Sequence, residues 1–480
     1  MTSLSANALV ESFTKAGQGQ VFRFADTLGE DGLSSLLAAA AEIDLDELAS
    51  LCESLLPQKS VTQGGPSINL DGLQPAPYIP LPEEGGDAAL WDKARKAGED
   101  ALRAGRVAAF VVAGGQGTRL GYEGPKGCYP ATPVRQASLF QVFAEKIRAA
   151  SARYGKSIPW LIMTSSLNDA ATRKFFEDNS FFGLPREDVI FFMQGRMPAV
   201  DARGKILLDA PDSIAMSPNG HGGSLRAVVT SGAAQKLRTR GVDMISYWQV
   251  DNPLVQIIDP AFIGFHVLNA SEMSSKMIPK AYPLEKVGHF CLLDGKNTVV
   301  EYSDLPNVMQ EQLDEQGQIR FRAGSVAIHI FDLAFVERLG GTGSGRLPFH
   351  LAHKKIAYVD EAGTLVKPER PNGFKFEMFV FDALPFAERP VIIEGKREDE
   401  FSPIKNAEGV DSPASCRRDQ IRQWVRWAKA AGIVLPVNED GITSFDWEVS
   451  PLFADSEAAF VQKWNSLEPK PQIAEGTLLV

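Results

Sequence analysis

Between residues 90 and 252, short apolar runs alternate with longer amphipathic stretches, and this alternation narrows the folds open to the chain. The runs are VAAFVVAG from Val107, PWLIMTS from Pro159, DVIFFMQ from Asp188 and DMISYWQVDN from Asp243. They are nearly continuous in apolar character, as strands buried on both faces are. Between them lie ALWDKARKAGEDALRAG, SLFQVFAEKIRAASARYG from Ser138, NDAATRKFFEDN and GSLRAVVTSGAAQKLRTRG from Gly223, which read as helices. Strands alternating with helices predict an α/β domain around a mixed, mostly parallel sheet covered by helices.

The flanks differ. Residues 1 to 57 are rich in Leu and Ala and read as helical, with a break and restart near Asp44 and Asp46. Residues 58 to 89 carry several Pro and Gly, the mark of a linker or an extended arm. Beyond Ser274 the pattern turns β-like, with an Asp-Gly turn signal, and predicts an antiparallel insertion near the sheet. After Ser402 one helix, RRDQIRQWVRWAKAAG, precedes an irregular tail. The expected domains are therefore 1–89, 90–401 and 402–480.

Composition excludes several function classes. The 480 residues carry a formal net charge of -11, which argues against general nucleic-acid binding. No apolar run approaches the roughly 20 residues that span a bilayer. The four cysteines are scattered and form no CxxC, against a zinc ribbon or a thioredoxin-type site and in keeping with a reducing cytosol. The N-terminus lacks the basic start and apolar core of a signal peptide, so a cytoplasmic location is expected.

The first apolar run leads into VVAGGQGTRLGYEGPKGCYP, with six glycines, Arg119 and Lys126. A loop between a buried strand and a helix sits where ligands bind in open α/β sheets. Consecutive glycines expose backbone N–H groups and let a phosphate approach closely. Arginine adds a planar fork and lysine a point charge. The loop is neither a dinucleotide fingerprint, since Leu120 stands at the third glycine, nor a Walker loop, since Pro125 precedes the lysine.

AGGQGTRLG…PKG resembles the signature loop of the eukaryotic-type UDP-sugar pyrophosphorylases, UTP-dependent sugar-1-phosphate uridylyltransferases, with an N-acetylglucosamine branch as the best likeness. The resemblance continues through QGRMPAV, PNGHGGSLRAV, VDNPLVQIIDPAFIGFH, VVEYSDL, AGSVAIHIF, LPFHLAHKKI, NGFKFEMFVFDALPFA and REDEFSPIKNAEGVDSP. It implies a central GT-A-like, Rossmann-like nucleotidyltransferase domain. It also implies a reaction of UTP with a sugar 1-phosphate, giving a UDP-sugar and pyrophosphate with Mg²⁺. Residue by residue, it places Arg119, Lys126 and Lys405 on the phosphates and Asp251 on the metal. Asp382 is a weaker metal candidate. It places Gly114, Gly115, Gly117, Gln194 and Gly220 on the nucleotide, and Asn252, Gly288, Glu301, Lys375, Phe379 and Phe381 on the sugar phosphate. A shared strand face for Phe379 and Phe381 would also suit a plain core. His350 and His353 have no evident third ligand and read as structural.

Two positions depart from the N-acetylglucosamine pattern. His221 and Ser325 stand where asparagines are usual on the sugar side, so glucose, galactose or broad specificity stays open. The different-class alternative is a catalytically silent nucleotide-sugar binder. Arg119, Lys126, Asp251 and Lys405 are all present, which weighs against it. The oligomeric state is left open.

Overall fold

A computed structural model of the chain describes residues 3–57, 70–341 and 347–480. The chain forms two compact units: residues 70–193, 225–346 and 383–480 make the larger, and 1–69, 194–224 and 347–382 the smaller. These units cut across the consecutive segments 1–89, 90–401 and 402–480. The reason is that the N-terminal helices share a core with two stretches from mid-chain.

The larger unit is built on a ten-stranded sheet. Its strands are β1 (Gln74–Pro75), β2 (Val107–Val112), β3 (Trp160–Thr164), β4 (Val189–Met193), β5 (Met244–Gln249), β6 (Met273–Pro279), β7 (Gly288–Leu293), β8 (Lys296–Val300), β9 (Ala323–Asp332) and β10 (Val391–Glu394). One half, in the order β4-β3-β2-β5, is parallel throughout. In the other half β9 runs antiparallel to β5 and β6, and β10 lies parallel to β6. Further along, β9 pairs with β7, which carries β8 and β1. The β-like stretch beyond Ser274 is thus no separate insertion. It widens the same sheet, because β9 is long enough to meet β5 at one end and β7 at the other. Asp294 (φ 50°) and Gly295 (φ 75°) form the β7–β8 turn, as a two-residue hairpin with the twist of its strands requires.

Every residue of β2 but the last is buried. The helix Leu139–Tyr154 packs on this half: Ser138 caps it by accepting the Gln141 N–H at 3.1 Å. Phe140, Phe143 and Ile147 join Trp160 and Trp248 in the main core. Each such side chain contributes about 1.5–3 kcal/mol by burial. The stretch from Gly223 forms two helices, Gly223–Thr230 and Ala233–Thr239, since Gly232 turns the backbone at φ 75°. The C-terminal helix Pro413–Ala430 buries Trp424 and Trp427 against Trp447, Phe460 and Trp464. Those tryptophans are core, which accounts for the helical spacing of the basic run.

Of the linker expected at 58–89, residues 58–69 lie outside the described residues. The remainder is an arm on the sheet: β1 pairs with β7, and Ile79 bridges to Ile393. In the smaller unit, Asp44 caps the helix Leu45–Leu55 by accepting the Glu47 N–H. Phe13, Val21, Leu36 and Leu48 share a core with Met197, Val200, Phe374 and Phe376. The last two belong to a hairpin of Phe349–Lys354 with Gly373–Met378.

Candidate active site

The chain leaves β2 toward β3 on one side, while β5 arrives later on the other. The carboxyl ends of β2 and β5 therefore flank a topological switch point, where open α/β sheets bind ligands. The glycine loop leaves β2 there, and Asp251 follows β5 there.

The loop is held from behind. Asn168 and Ser165, both buried beyond the end of β3, take the carbonyls of three successive residues. Asn168 Nδ2 donates to Ala113 O at 2.9 Å and to Gly115 O at 3.2 Å, and Ser165 Oγ donates to Gly114 O at 2.8 Å. With those carbonyls engaged, the N–H groups of Gly114, Gly115 and Gln116 have no partner among the described residues, and unpaired N–H groups in a glycine loop suit an anion. The loop then closes on itself: Gly117 N–H donates to Gly124 O at 2.9 Å and Lys126 N–H to Gly115 O at 3.1 Å. Arg119 rides the exposed tip in a turn of 3₁₀ helix.

Lys126 meets Asp251: Nζ and Oδ2 are 3.7 Å apart, with both side chains mostly buried (17% and 14% exposed). A third group joins them through the backbone. Ile404 N–H donates to Asp251 O at 2.8 Å, and Lys405 comes next. Lys405 Nζ lies 5.4 Å from the centroid of the Phe401 ring. Burial raises the Asp411 carboxyl above its usual value, with Lys405 pulling it down and Asp251 pushing it up. The larger unit thus assembles Lys126, Asp251 and Lys405 around the end of β5. One hard carboxylate beside two cations suits Mg²⁺ carried chiefly by phosphate oxygens and water, which needs only one or two protein carboxylates. No cluster of three or more His, Cys, Asp or Glu suited to a metal occurs among the described residues.

Gly288, Glu301 and Ser325 also come together. Gly288 and Ser325 are register partners on β7 and β9, and a Cβ at Gly288 would stand 3.3 Å from Glu301 Oε1. Asn252 is differently occupied. Its Nδ2 donates to Glu400 O at 2.6 Å and its Oδ1 accepts from Ser402 N–H at 3.0 Å, so both polar atoms are taken by backbone.

Gln194, Gly220, His221, Lys375, Phe379, Phe381 and Asp382 lie in the smaller unit. Gln194 Nε2 donates to Gly220 O at 2.6 Å. His221 Nδ1 accepts the Val380 N–H at 3.2 Å, which leaves the ring proton on Nε2. Burial pushes this imidazole down to about 4, so it is neutral at pH 7. Its ring lies 5.5 Å from Phe379 and 5.9 Å from Phe381. The two phenylalanines do not share a strand face. The strand ends at Met378, whose backbone is drawn to Asn219 and Gly222, and Val380–Phe386 is 3₁₀ helix; the rings stack at 5.2 Å. Lys375 pairs with Ala352 across the hairpin. His350 and His353, three apart on a strand, point to opposite faces. The first bonds Asp382 Oδ2 at 2.7 Å and the second stacks on Phe374 at 4.6 Å.

Reading the residues one by one missed the supports. Ser165 and Asn168 look like any strand-to-helix junction. Lys146, half-buried on the helix Leu139–Tyr154, donates to the carbonyls of Pro253, Leu254 and Val255 at 2.6, 3.1 and 2.8 Å, just past Asp251. Lys276 was legible in principle, as a lone lysine inside the apolar strand β6.

The family described as UTP–glucose-1-phosphate uridylyltransferase matches residues 86–411. A UDP-N-acetylhexosamine pyrophosphorylase-like protein 1 from Xenopus tropicalis is 39% identical over 87% of this chain and 84% of its own length. The UDP-N-acetylglucosamine pyrophosphorylase of Saccharomyces cerevisiae is 34% identical, covering 90% of this chain and 92% of its own. The crystal structure of the uridine diphosphate N-acetylglucosamine pyrophosphorylase from Trypanosoma brucei, in complex with inhibitor, superposes with a TM-score of 0.81 at 26% identity, over 99% of this chain and 98% of that one.

Proposed function

Because the chain belongs to the UTP–glucose-1-phosphate uridylyltransferase family, we propose that it joins UTP to a sugar 1-phosphate, releasing pyrophosphate and a UDP-sugar, with N-acetylglucosamine 1-phosphate as the sugar substrate. The observation that carries this reading is the Lys126–Asp251 pair beside a glycine loop whose Gly114, Gly115 and Gln116 N–H groups have no partner among the described residues.

The sugar phosphate is already an oxyanion, so the protein supplies no nucleophile. One of its oxygens forms a bond to the α-phosphorus as the bond from that phosphorus to the oxygen linking it to the β-phosphorus breaks, and that oxygen leaves with pyrophosphate. The work lies in bringing two polyanions into line and stabilising the charge that collects on the leaving group. The glycine-loop N–H groups, Arg119 and Lys126 hold the triphosphate and neutralise the departing pyrophosphate. Lys405 faces the phosphate at the reacting centre. Asp251 would hold Mg²⁺, which when bound draws charge from phosphate oxygens. Gln194, with one N–H given to Gly220, keeps a carboxamide oxygen and a second N–H for the imide edge of uracil. Glu301 accepts sugar hydroxyls beside Gly288 and Ser325. The GT-A-like classification and a cytosolic location belong to the same reading. All four cysteines are free, which supports a reducing compartment. No helix among the described residues is long and apolar enough to cross a membrane.

A second reading takes glucose 1-phosphate or several sugar phosphates. It is favoured by Ser325 beside Gly288 and by His221, whose Nδ1 is spent on the Val380 N–H. The test is pyrophosphate release from UTP and Mg²⁺ with a panel of sugar 1-phosphates. Release with N-acetylglucosamine 1-phosphate above glucose 1-phosphate supports the first reading, and the reverse order supports the second. UTP binding without release from any sugar phosphate favours a silent binder.

A further inference from the structure

Lys276 sits in β6 with its side chain 1% exposed. Its Nζ donates to Asp259 Oδ2 at 2.7 Å and to Glu400 Oε1 at 2.5 Å, and lies 5.3 Å from the centroid of the Phe262 ring. An ammonium and two carboxylates removed from water are not an economical core. Apolar side chains of similar volume are commonly as stable or more so. What the triad does secure is geometry.

Glu400 is the pivot. One carboxylate oxygen takes Lys276, the other accepts the Gln256 N–H at 3.0 Å, and its own carbonyl accepts Asn252 Nδ2. Asn252 Oδ1 then accepts the Ser402 N–H, and Asp251 O accepts the Ile404 N–H. The segment 400–404 is therefore pinned to the segment 251–256 at four points. Asp251 starts one segment and Lys405 follows the other. Asp259, the third member, caps the helix Pro260–Leu268 by accepting the Ala261 and Phe262 N–H groups, which anchors the far end of the loop.

We propose that Lys276, Glu400 and Asn252 form a positioning unit that sets the distance between the Lys405 ammonium and the Asp251 carboxylate. It rests on the uridylyltransferase reading for its catalytic meaning. The three residues spend these polar atoms within the chain and not on substrate. They decide where two groups that do touch it stand.

The test is a mutant cycle on the full-length chain. Lys276→Met combined with Glu400→Gln removes both charges, while the introduced carboxamide still accepts the Gln256 N–H. Lys405→Met is then made in wild type and in that background. The double variant should bind UTP as wild type does by calorimetry, since the glycine loop is untouched, and keep its KM for UTP while kcat falls. Lys405→Met should cost about tenfold less in the variant background than in wild type, as expected for residues in one network. An equal cost in both backgrounds, or an unchanged kcat, overturns the proposal. Should the double variant not fold, Asn252→Ala takes its place in the cycle, since it leaves the ion triad intact and removes two of the four pins. Hydrogen exchange reads the pins without turnover. The amides of Ser402 and Ile404 should be protected in wild type and exchange at least about tenfold faster in Asn252→Ala; equal exchange overturns the proposal. Wild type that releases no pyrophosphate would sink the uridylyltransferase reading and leave this second measurement standing.

Discussion

Two of the glycine-rich segments, the loop after β2 and the stretch around Gly220, hold glycines that are there for different reasons. Around Gly220–Gly223 in the smaller unit, space is exhausted. A Cβ at Gly220 would lie 2.3 Å from Met378 O, one at Gly222 2.7 Å from the backbone of Met378 and Phe379, and one at Gly223 2.1 Å from Asn219 Oδ1. In the loop after β2, Gly117 and Gly127 are similarly confined, by Tyr122 and Phe140, but a Cβ at Gly115 would meet nothing within 4 Å. Glycine at 220 serves the fold. Glycine at 115 has no steric reason among the described residues, which leaves room for a ligand to approach it.

This contrast can be broken. The largest expected effect is on the loop's cation: Lys126→Met should lower the rate of pyrophosphate release about 10²–10³-fold, the usual cost of one electrostatic group at a reacting centre. Its melting temperature should hardly move. A normal rate would return the loop to a structural role. Next, Gly220→Ala should destabilise the protein by about 2 kcal/mol or more, because it combines a left-handed φ of 82° with a backbone clash. The urea midpoint measures this, and no change would contradict the packing described here. Gly115→Ala should do the reverse. Stability should stay within about 0.5 kcal/mol, as for an open surface site. UTP affinity by calorimetry should fall about tenfold, as one methyl intruding on a fitted ligand does.

The smallest effect concerns pH. Burial depresses His221 to about 4, His266 to about 3 and His289 to about 4. Between the unfolded value near 6.5 and these folded values, the unfolded chain binds protons that the folded chain does not. Stability should therefore be complete above about pH 6.5 and decline as pH falls toward 4. His221→Asn should reduce that slope by about one proton. An unchanged slope would mean that His221 titrates normally.

What was legible in the sequence follows from range. The β2 run, the glycine loop and the Ser138 cap are written within consecutive residues, and the α/β class followed from their alternation. The interleaved smaller unit was not legible, because Phe13 and Phe376 meet only through tertiary packing. Of the site, Lys126 stood out as a cation in the glycine loop and Asp251 as a carboxylate at a strand end. Asn168 did not, since a buried asparagine holding carbonyls and a helix-capping asparagine look alike on paper. Phe379 and Phe381 suggested strand spacing because FEMFVF alternates, yet the backbone contacts of Met378 end the strand first.

The shared core of the smaller unit bears on how the protein is made. The helices carrying Phe13, Val21 and Leu36 leave the ribosome well before Phe374 and Phe376, which are among the partners that cover them. More than three hundred residues must be synthesised in between. At roughly 5–20 residues per second, those apolar faces wait tens of seconds for their cover. During synthesis they stay exposed until the hairpin of Phe374 and Phe376 has been made.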